Sequence, residues 1–384
     1  MIQSPPTTAP HVFGLTRDEL QAHLASLGMP RFRTDQILKW VYQRGVADPQ
    51  QMTDLSKADR DRLAENLTFT TLGPLRHQSA TDGTQKLLLQ VPPVGRGLPV
   101  TPEIPDDPNA LISGATECVM IPAENPTGAT RRTACISSQI GCPVGCRFCA
   151  SGLGGLEQNL TAGQTVEQIW QLNQLPGLAG ERGISNVVFM GMGEPLTNFD
   201  NVTRAIRIMT APWAFDLSAR RVTLSTVGLP AQIRRLADQL ELPITLAISL
   251  HAPNDTLRRE IIPWAERTSV ADLVAAARYY FEKTGREVTI EYILLRQVND
   301  QPEHARQLAA IARHMRCHVN LIRYNEVKGL PYGRPASEDV QQFQQILRKA
   351  GVNSHIRASR GRDIAAACGQ LRHESKKPAA PPTA

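Results

Sequence analysis

From residue 134 onward, short apolar runs alternate with helical patterns. The predicted strands are residues 134–137, 186–190, 222–225, 244–249, 288–294 and 318–324, and the predicted helices between them are residues 165–175, 230–237, 270–282 and 302–314. Strands that alternate with helices favour a parallel sheet, either a barrel or an open doubly wound sheet. Residues 134–372 are therefore predicted to form an α/β domain.

A helical pattern without strands occupies residues 13–72. Thr16 begins a capping-box sequence, apolar residues follow at helical spacing, and Gly28 marks the predicted helix end. Further helices are predicted after Thr34 and from Ser56. Basic residues cluster near the first connection and the second helix: Arg31, Arg33, Lys39 and Arg44. This small domain could hold an RNA backbone through phosphate contacts, and a solvated basic surface explains the same charges equally well.

Between these regions, residues 73–133 predict a β-rich connector. Residues 86–91 and 117–122 are short strand candidates, and the Pro- and Gly-rich segment 92–113 between them predicts a mobile loop. The Pro-rich ends, residues 1–12 and 373–384, predict disorder.

Composition and charge agree with a globular protein. The chain has 384 residues, of which 41% are hydrophobic and 20% charged, with a net charge of +6. That modest positive charge suits a polyanion such as RNA but identifies no partner alone. The start lacks a secretory pattern, and no apolar run approaches the ~20 residues that span a bilayer. We therefore expect a cytoplasmic protein without a membrane partner.

Three of the seven cysteines lie within eight residues, as Cys142-x-x-x-Cys146-x-x-Cys149. This uneven placement argues against a disulfide framework. Thiolates are the usual ligands of iron–sulfur clusters, and three of them leave one iron of a [4Fe-4S] cluster free for another ligand. A structural zinc site is the alternative, but it takes four ligands and no matching second cysteine pair exists. The spacing therefore favours a cluster.

Other chemically distinctive residues follow the predicted strands directly. The turn 191–195, of sequence Gly-Met-Gly-Glu-Pro, follows one strand, Ser225 ends the next, and Ser249 and His251 follow a third. Because functional groups gather at the carboxyl ends of parallel strands, one shared site is expected. Glycines would let the backbone approach a ligand, and Glu194 could accept a hydrogen bond from an ammonium group.

Taken together, these segments resemble the radical SAM methyltransferases that modify carbon 2 of adenosine in large-subunit ribosomal RNA and transfer RNA. The resemblance covers roughly residues 13–371. It is carried by the segments SSQIGC, GMGEPL, RRVTLSTVG, AISLHAPND, VNLIRYN, LPYGRP and RGRDIAAACGQL. It implies a partial (β/α)6 barrel with an N-terminal helical domain and a β-rich connector.

The resemblance also implies roles for individual residues. Cys142, Cys146 and Cys149 would hold the [4Fe-4S] cluster. The implied contacts to S-adenosylmethionine are Gly193, Glu194, Ser225, Ser249, Leu250, His251 and Asn325. Cys368 would carry the methyl group, Cys135 would be the second catalytic cysteine, and Glu117 would accept a proton.

The implied reaction uses two molecules of S-adenosylmethionine, because carbon 2 of adenine is too electron-poor to displace a methyl group from a sulfonium. One methylates Cys368, and the other yields a 5′-deoxyadenosyl radical that activates the new methyl group. The RNA would become attached to Cys368 and leave as a Cys135–Cys368 disulfide forms. The implied partners are ribosomal RNA, transfer RNA with its adenosine 3′ of the anticodon, and an electron donor such as flavodoxin or ferredoxin. The protein is expected to be a monomer.

Two alternatives stay open at this point. A related methyltransferase that modifies carbon 8 of the same ribosomal adenosine keeps both catalytic cysteines. A zinc-stabilised RNA-binding module would explain the cysteine triplet but leave Cys368 and Glu194 without a role.

The sequence departs from the resemblance at one site residue. Glu117 lies farther from Cys135 than the resemblance implies, because residues 125–128 belong to an insertion.

Overall fold

The protein is described by a computed structural model that covers residues 9–92, 114–124, 130–176, 178 and 183–371. The predicted mobile loop beyond residue 92, the insertion 125–128, the tail from 373 and residues 1–8 of the predicted N-terminal disorder lie outside these described residues. Residues 9–12 contradict the prediction of disorder. Val12 is fully buried, and its amide donates a hydrogen bond of 2.9 Å to the carbonyl of Thr68.

A single large sheet forms the centre of the fold. Its strand order is β1-β2-β3-β4-β7-β8-β9-β10-β11-β12, and a separate two-stranded sheet pairs β5 with β6. The strands are β1 (Gly73–Ser79), β2 (Gln85–Gln90), β3 (Ala115–Glu124), β4 (Thr130–Cys135), β5 (Gln139–Gly141), β6 (Leu156–Asn159), β7 (Asn186–Phe189), β8 (Val222–Thr226), β9 (Thr245–Ser249), β10 (Val288–Leu294), β11 (Cys317–Arg323) and β12 (Ser354–Arg357).

Two kinds of pairing meet in this sheet. Strands β1 to β4 pair antiparallel, whereas β4 and β7 to β12 pair parallel in sequence order. Strands β1 and β12 are the two edges, so the sheet is an open, partial barrel extended by the β-rich connector. The predicted α/β architecture is therefore confirmed.

Helices precede the sheet and connect its parallel strands. They are α1 (Arg17–Ser26), α2 (Arg33–Leu38), α3 (Lys57–Asn66), α4 (Ala162–Asn173), α5 (Phe199–Thr210), α6 (Pro230–Gln239), α7 (Asp255–Ile261), α8 (Val270–Thr284), α9 (Pro302–Ala312) and α10 (Ser337–Lys349). The capping box at Thr16 is present, and Ser56 caps α3. No helix in the described part of the chain is both long and apolar enough to cross a membrane.

Several elements were not predicted, for local reasons. Strand β12 is only four residues long and exposes Ile356, so it lacks the apolar run of a buried strand. Helix α10 is amphipathic, with Val340, Phe343 and Leu347 buried at helical spacing, so its pattern is present in the sequence but was overlooked. Helix α5 follows the turn 191–195 and a short 3₁₀ segment that obscure its start. Helix α7 and strand β1 were also missed.

The N-terminal helical region is joined to the α/β domain through a buried carboxylate. Glu167 of α4 is fully buried and accepts hydrogen bonds of 2.9 to 3.0 Å from the backbone amides of Thr71 and Leu72. The hydroxyl of Thr71 donates a further bond of 2.8 Å to this carboxylate. A buried amide that loses its acceptor destabilises the folded protein by more than an average hydrogen bond stabilises it. Glu167 therefore fixes the chain where it leaves the helical region.

We predict that Glu167→Ala lowers the free energy of unfolding by about 3 kcal/mol, because the two amides would stay buried without an acceptor. Denaturant unfolding followed by circular dichroism measures the change. Glu282→Ala, which removes an exposed carboxylate from α8, is the matched control and should change stability by less than about 0.5 kcal/mol. Equal losses in the two variants would contradict this role for Glu167.

Candidate active site

A cavity of about 160 Å³ lies at the carboxyl ends of the parallel strands. It collects residues from the predicted cysteine loop and from the ends of the neighbouring strands. Among the residues that line it are Cys142, Cys146, Cys149, Gly193, Glu194, Ser225, Ser249, His251, Glu291, Arg357 and Cys368. The structure thus brings most of the predicted site residues into one place. We call this cavity the cofactor cavity.

The three clustered cysteines sit in an apolar wall of the cofactor cavity. They pack against a group of buried residues that includes Val144, Phe148 and Ile293. Burial raises the pKa of all three thiols, that of Cys142 to about 12. Bare thiols would therefore stay protonated here, whereas a bound metal centre deprotonates the thiols that coordinate it.

The described residues contain no group of three or more His, Cys, Asp or Glu side chains arranged to hold a single metal ion. A structural zinc ion needs four such donors around one point. Three thiols on a short loop, facing one cavity, fit the predicted cluster, which spreads its ligands over several metal ions.

The turn that carries Glu194 requires glycine. Gly193 has a φ of +108°, and a Cβ there would lie 2.7 Å from the side chains of Ser138 and Gln139. Glu194 is buried and accepts hydrogen bonds from the amides of Leu196 and Val227 at 3.0 and 2.7 Å. Burial nevertheless raises the pKa of Glu194 to about 7. A cationic ligand in the cavity would favour its ionised form.

Hydroxyl and imidazole groups complete the polar wall of the cofactor cavity. The hydroxyls of Ser225 and Ser249 lie 3.3 Å apart on adjacent strands. His251 has a left-handed φ of +58°, and its Nδ1 accepts a hydrogen bond of 3.1 Å from the amide of Ile293. Burial and the charge of Arg258 lower the pKa of His251 to about 3. The imidazole is therefore neutral, with its proton on Nε2 as a donor.

A second, larger cavity of about 450 Å³ adjoins the first, and we call it the substrate cavity. Cys135, Cys368 and Arg357 line it, and both Arg357 and Cys368 line the cofactor cavity as well. Four further arginines also line it: Arg131, Arg220, Arg221 and Arg360. Cys368 therefore stands between a cavity rich in ligand-binding groups and one surrounded by positive charge.

The two catalytic cysteine candidates both lie on the wall of the substrate cavity. Burial raises the pKa of Cys135 to about 12, and a negative charge on Cys368 would raise it further. Arg357 is held by Glu291 at 3.1 Å, and the thiols of Cys368 and Cys135 raise the pKa of its guanidinium. All seven cysteines are free thiols in the structure, so the predicted Cys135–Cys368 disulfide is absent here.

Besides Cys135, three predicted site residues lie elsewhere than the cofactor cavity. Leu250 lies in the main hydrophobic core, and its carbonyl accepts a hydrogen bond from Arg258 of α7. Asn325 lines the substrate cavity, where its side-chain amide donates to the carbonyl of Cys368 at 3.4 Å. Glu117 is buried beside Lys86 and lines neither cavity. In the structure, Asn325 therefore helps to hold the backbone of Cys368 in place.

Two buried residues that the sequence interpretation missed hold the site loops. Gln168 of α4 exchanges two hydrogen bonds with the backbone of Ser137, where β4 leads toward the cysteine loop. Arg258 of α7 donates to the carbonyls of Leu250 and Val227. Neither residue carries a sequence signal of its own, because a buried polar residue inside a helix pattern resembles an exposed one. Only the three-dimensional contacts identify them.

Comparison with known proteins agrees with this arrangement. Residues 11–68 match the family described as ribosomal RNA large subunit methyltransferase N-terminal domain, and residues 136–309 match the radical SAM superfamily. The chain is 41% identical over 382 residues to the "Probable dual-specificity RNA methyltransferase RlmN" of Salinibacter ruber, covering 96% of this chain and 98% of that protein. The chain belongs to the RlmN family of radical SAM RNA methyltransferases.

Further relatives extend the match over the whole fold. The dual-specificity RNA methyltransferase RlmN of Marinobacter nauticus is 39% identical over 365 residues, covering 94% of this chain and 92% of that protein. The crystal structure of a radical SAM methyltransferase from Sphaerobacter thermophilus superposes with a TM-score of 0.85 at 41% identity, covering 96% of this chain and all of that one. Membership of the RlmN family makes this protein an RNA methyltransferase and implies S-adenosylmethionine and a [4Fe-4S] cluster as its cofactors.

We predict that Gly193→Ala destabilises the protein by about 2 kcal/mol, because the new Cβ meets Ser138 and Gln139 and the backbone must leave its left-handed conformation. Denaturant midpoints measured by intrinsic fluorescence test this. Gly154→Ala is the control, since its Cβ would meet open space and its φ is not restricted. An unchanged midpoint for Gly193→Ala would show that the turn 191–195 adapts to a side chain.

Proposed function

We propose that this protein methylates carbon 2 of an adenosine in large-subunit ribosomal RNA and in transfer RNA, through a methylated Cys368. One observation carries the proposal. Cys368 lines both the cofactor cavity and the substrate cavity, so one thiol can receive a methyl group on one side and deliver it on the other. Thiolates are strong nucleophiles toward a sulfonium carbon.

The cofactor cavity fits the groups that the reaction requires. Cys142, Cys146 and Cys149 would hold the cluster. The Glu194 carboxylate would accept from the ammonium group of S-adenosylmethionine, and the Ser225 and Ser249 hydroxyls would accept from or donate to its polar groups. When bound, the reduced cluster supplies the electron that cleaves S-adenosylmethionine to methionine and a 5′-deoxyadenosyl radical.

The protein's own groups have separate tasks in this scheme. Arg357 lines both cavities together with Cys368 and places a positive charge where the two cavities meet. Cys135 lines the same substrate cavity, and its sulfur would bond to the sulfur of Cys368 as the methylated RNA leaves. That disulfide then needs an external electron donor, such as flavodoxin or ferredoxin, to restore both thiols. A reducing cytoplasm suits such a cycle.

RNA binding is supported by the arginines of the substrate cavity. Arg131, Arg220, Arg221 and Arg360 are exposed side chains that line it. Guanidinium groups bind phosphates in two-point contacts, and such contacts position a nucleic acid without reading its sequence. The target adenine must leave its stack to reach Cys368, as enzymes that modify bases require.

Replacing Cys368 tests the proposed function most simply. With S-adenosylmethionine, a reductant and unmodified RNA under anaerobic conditions, the wild-type protein should form 2-methyladenosine, detected by mass spectrometry of digested RNA. Cys368→Ala should form none, because the methyl group has no carrier. Cys317→Ala, which removes a cysteine that lines neither cavity, should retain activity. Formation of 8-methyladenosine would assign the protein to the alternative carbon-8 activity instead.

The arginines predict a measurable salt dependence of RNA binding. Replacing Arg220 and Arg221 together by alanine should weaken RNA affinity and lower the slope of log affinity against log salt by about 2, one unit for each lost phosphate contact. Fluorescence anisotropy at several salt concentrations measures both quantities. Arg278→Ala, on an exposed position of α8, should leave the slope unchanged. An unchanged slope for the double variant would show that these two arginines do not contact the phosphates of the RNA.

A further inference from the structure

A buried ion pair lies beneath the segment that carries Cys368. Lys86 of β2 and Glu117 of β3 are 6% and 3% exposed, and the Lys86 Nζ lies 3.0 Å from Glu117 Oε1. The strand register places Lys86 opposite Val119 and Leu88 opposite Glu117. The two charged residues are therefore diagonal neighbours on one face of the sheet, within reach of each other.

Lys86 also contacts the Cys368 segment itself. Its ammonium group donates a hydrogen bond of 3.3 Å to the carbonyl of Ala365, three residues before Cys368. Ala365 has a left-handed φ of +49°, which few residues other than glycine adopt. The next residue, Ala366, lines the substrate cavity. One ammonium group thus joins Glu117 to the wall of that cavity.

The turn between β1 and β2 reinforces this connection. The carboxylate of Asp82 accepts from the amide of Gly361 at 3.0 Å, and the carboxylate of Asp363 accepts from the amide of Thr81 at 2.9 Å. Three hydrogen bonds therefore join the Cys368 segment to the hairpin, and the donor of one of them, Lys86, also reaches Glu117.

A buried carboxyl group loses its charge unless a cation lies beside it, because burial disfavours the ionised form. A protonated Glu117 cannot accept another proton. The ammonium group of Lys86, 3.0 Å from Glu117 Oε1, is such a cation and fixes the position of the carboxylate. Through Lys86, Glu117 is connected to the segment that carries Cys368 and lines the substrate cavity, although Glu117 itself lines neither cavity.

We propose that Lys86 is a positioning residue that holds the Glu117 carboxylate in place relative to the Cys368 segment, so that Glu117 can accept the carbon-2 proton of the RNA adduct. This inference rests on the proposed function. In the step concerned, the unpaired electron of the radical adduct would pass to the oxidised cluster, the C–H bond at carbon 2 would break, its proton would move to the Glu117 carboxylate, and its electron pair would restore the aromatic ring of the adenine. Lys86 takes no part in bond formation.

The test compares steps before and after RNA attachment. Lys86→Gln keeps a hydrogen-bond donor but removes the charge. It should lower the rate of 2-methyladenosine formation about tenfold, which is less than the full rate acceleration that a general base usually provides. It should also leave more RNA covalently bound to the protein and change 5′-deoxyadenosine release less than twofold. Lys86→Arg, which restores the charge, should recover product formation. Lys349→Met, an exposed lysine on α10, is the matched control and should resemble the wild-type protein.

A double variant separates action through Glu117 from a general structural effect. If Lys86 acts through Glu117, Lys86→Gln combined with Glu117→Gln should be no slower than Glu117→Gln alone. The inference would be overturned if the double variant lost activity by the product of the two single losses, or if Lys86→Gln formed product at the wild-type rate. Either result would leave the proposed function intact. Absence of 2-methyladenosine from the wild-type protein would instead overturn both. A Lys86→Gln protein that also loses 5′-deoxyadenosine release would indicate a structural role only and would count against the inference.

Discussion

The position of the Cys368 segment is the constraint on which the proposed site depends. This segment follows the edge strand β12 and reaches both cavities, yet it has little regular secondary structure of its own. Its backbone is fixed instead by hydrogen bonds from three directions. The hairpin of β1 and β2 holds residues 361–365. Ala150 and Ser151, next to the cysteine loop, bond to the carbonyls of Gly369 and Leu371, and Asn325 bonds to that of Cys368.

This arrangement explains why the β-rich connector belongs to the catalytic unit. Its strands extend the parallel sheet beyond β4 and so bring the β1–β2 turn over the Cys368 segment. Strand β3 pairs Val119 with Cys135, which holds the second cysteine at the substrate cavity that Cys368 also lines. The connector thus supports one side of the thiol pair, while the parallel strands support the cofactor cavity on the other.

Much of the fold could be predicted from the sequence, because its strands are short, apolar and regularly separated by helices. Strand β10, buried over its whole length, is the clearest case, and its predicted bounds are those of the structure. The cysteine triplet and the turn 191–195 were recognisable because three thiols on so short a loop, and two glycines beside a glutamate, suit few kinds of site. Strand β12 was not recognised because it is short and largely exposed, whereas helix α10 has an amphipathic pattern that the sequence interpretation overlooked.

The supporting contacts of the site could not be predicted for a different reason. Lys86, Arg258 and Gln168 act through distant backbone groups and side chains that only the folded chain brings near. A lysine within an apolar strand has the same sequence signal whether it pairs with a carboxylate or points to solvent. For Asn325 the structure adds a hydrogen bond to the carbonyl of Cys368, and its contact with S-adenosylmethionine stays a prediction.

The most direct test of the central claim follows the hydrogen atoms of the transferred methyl group. The protein would be given S-adenosylmethionine with a fully deuterated methyl group, and the methylated adenosine would be analysed by mass spectrometry. Transfer through Cys368 as a methylene radical predicts a product methyl with two deuterium atoms and one hydrogen, and 5′-deoxyadenosine that has gained the third deuterium. A product methyl that keeps all three deuterium atoms would contradict the account, because the methyl group would then have moved intact without radical activation on Cys368.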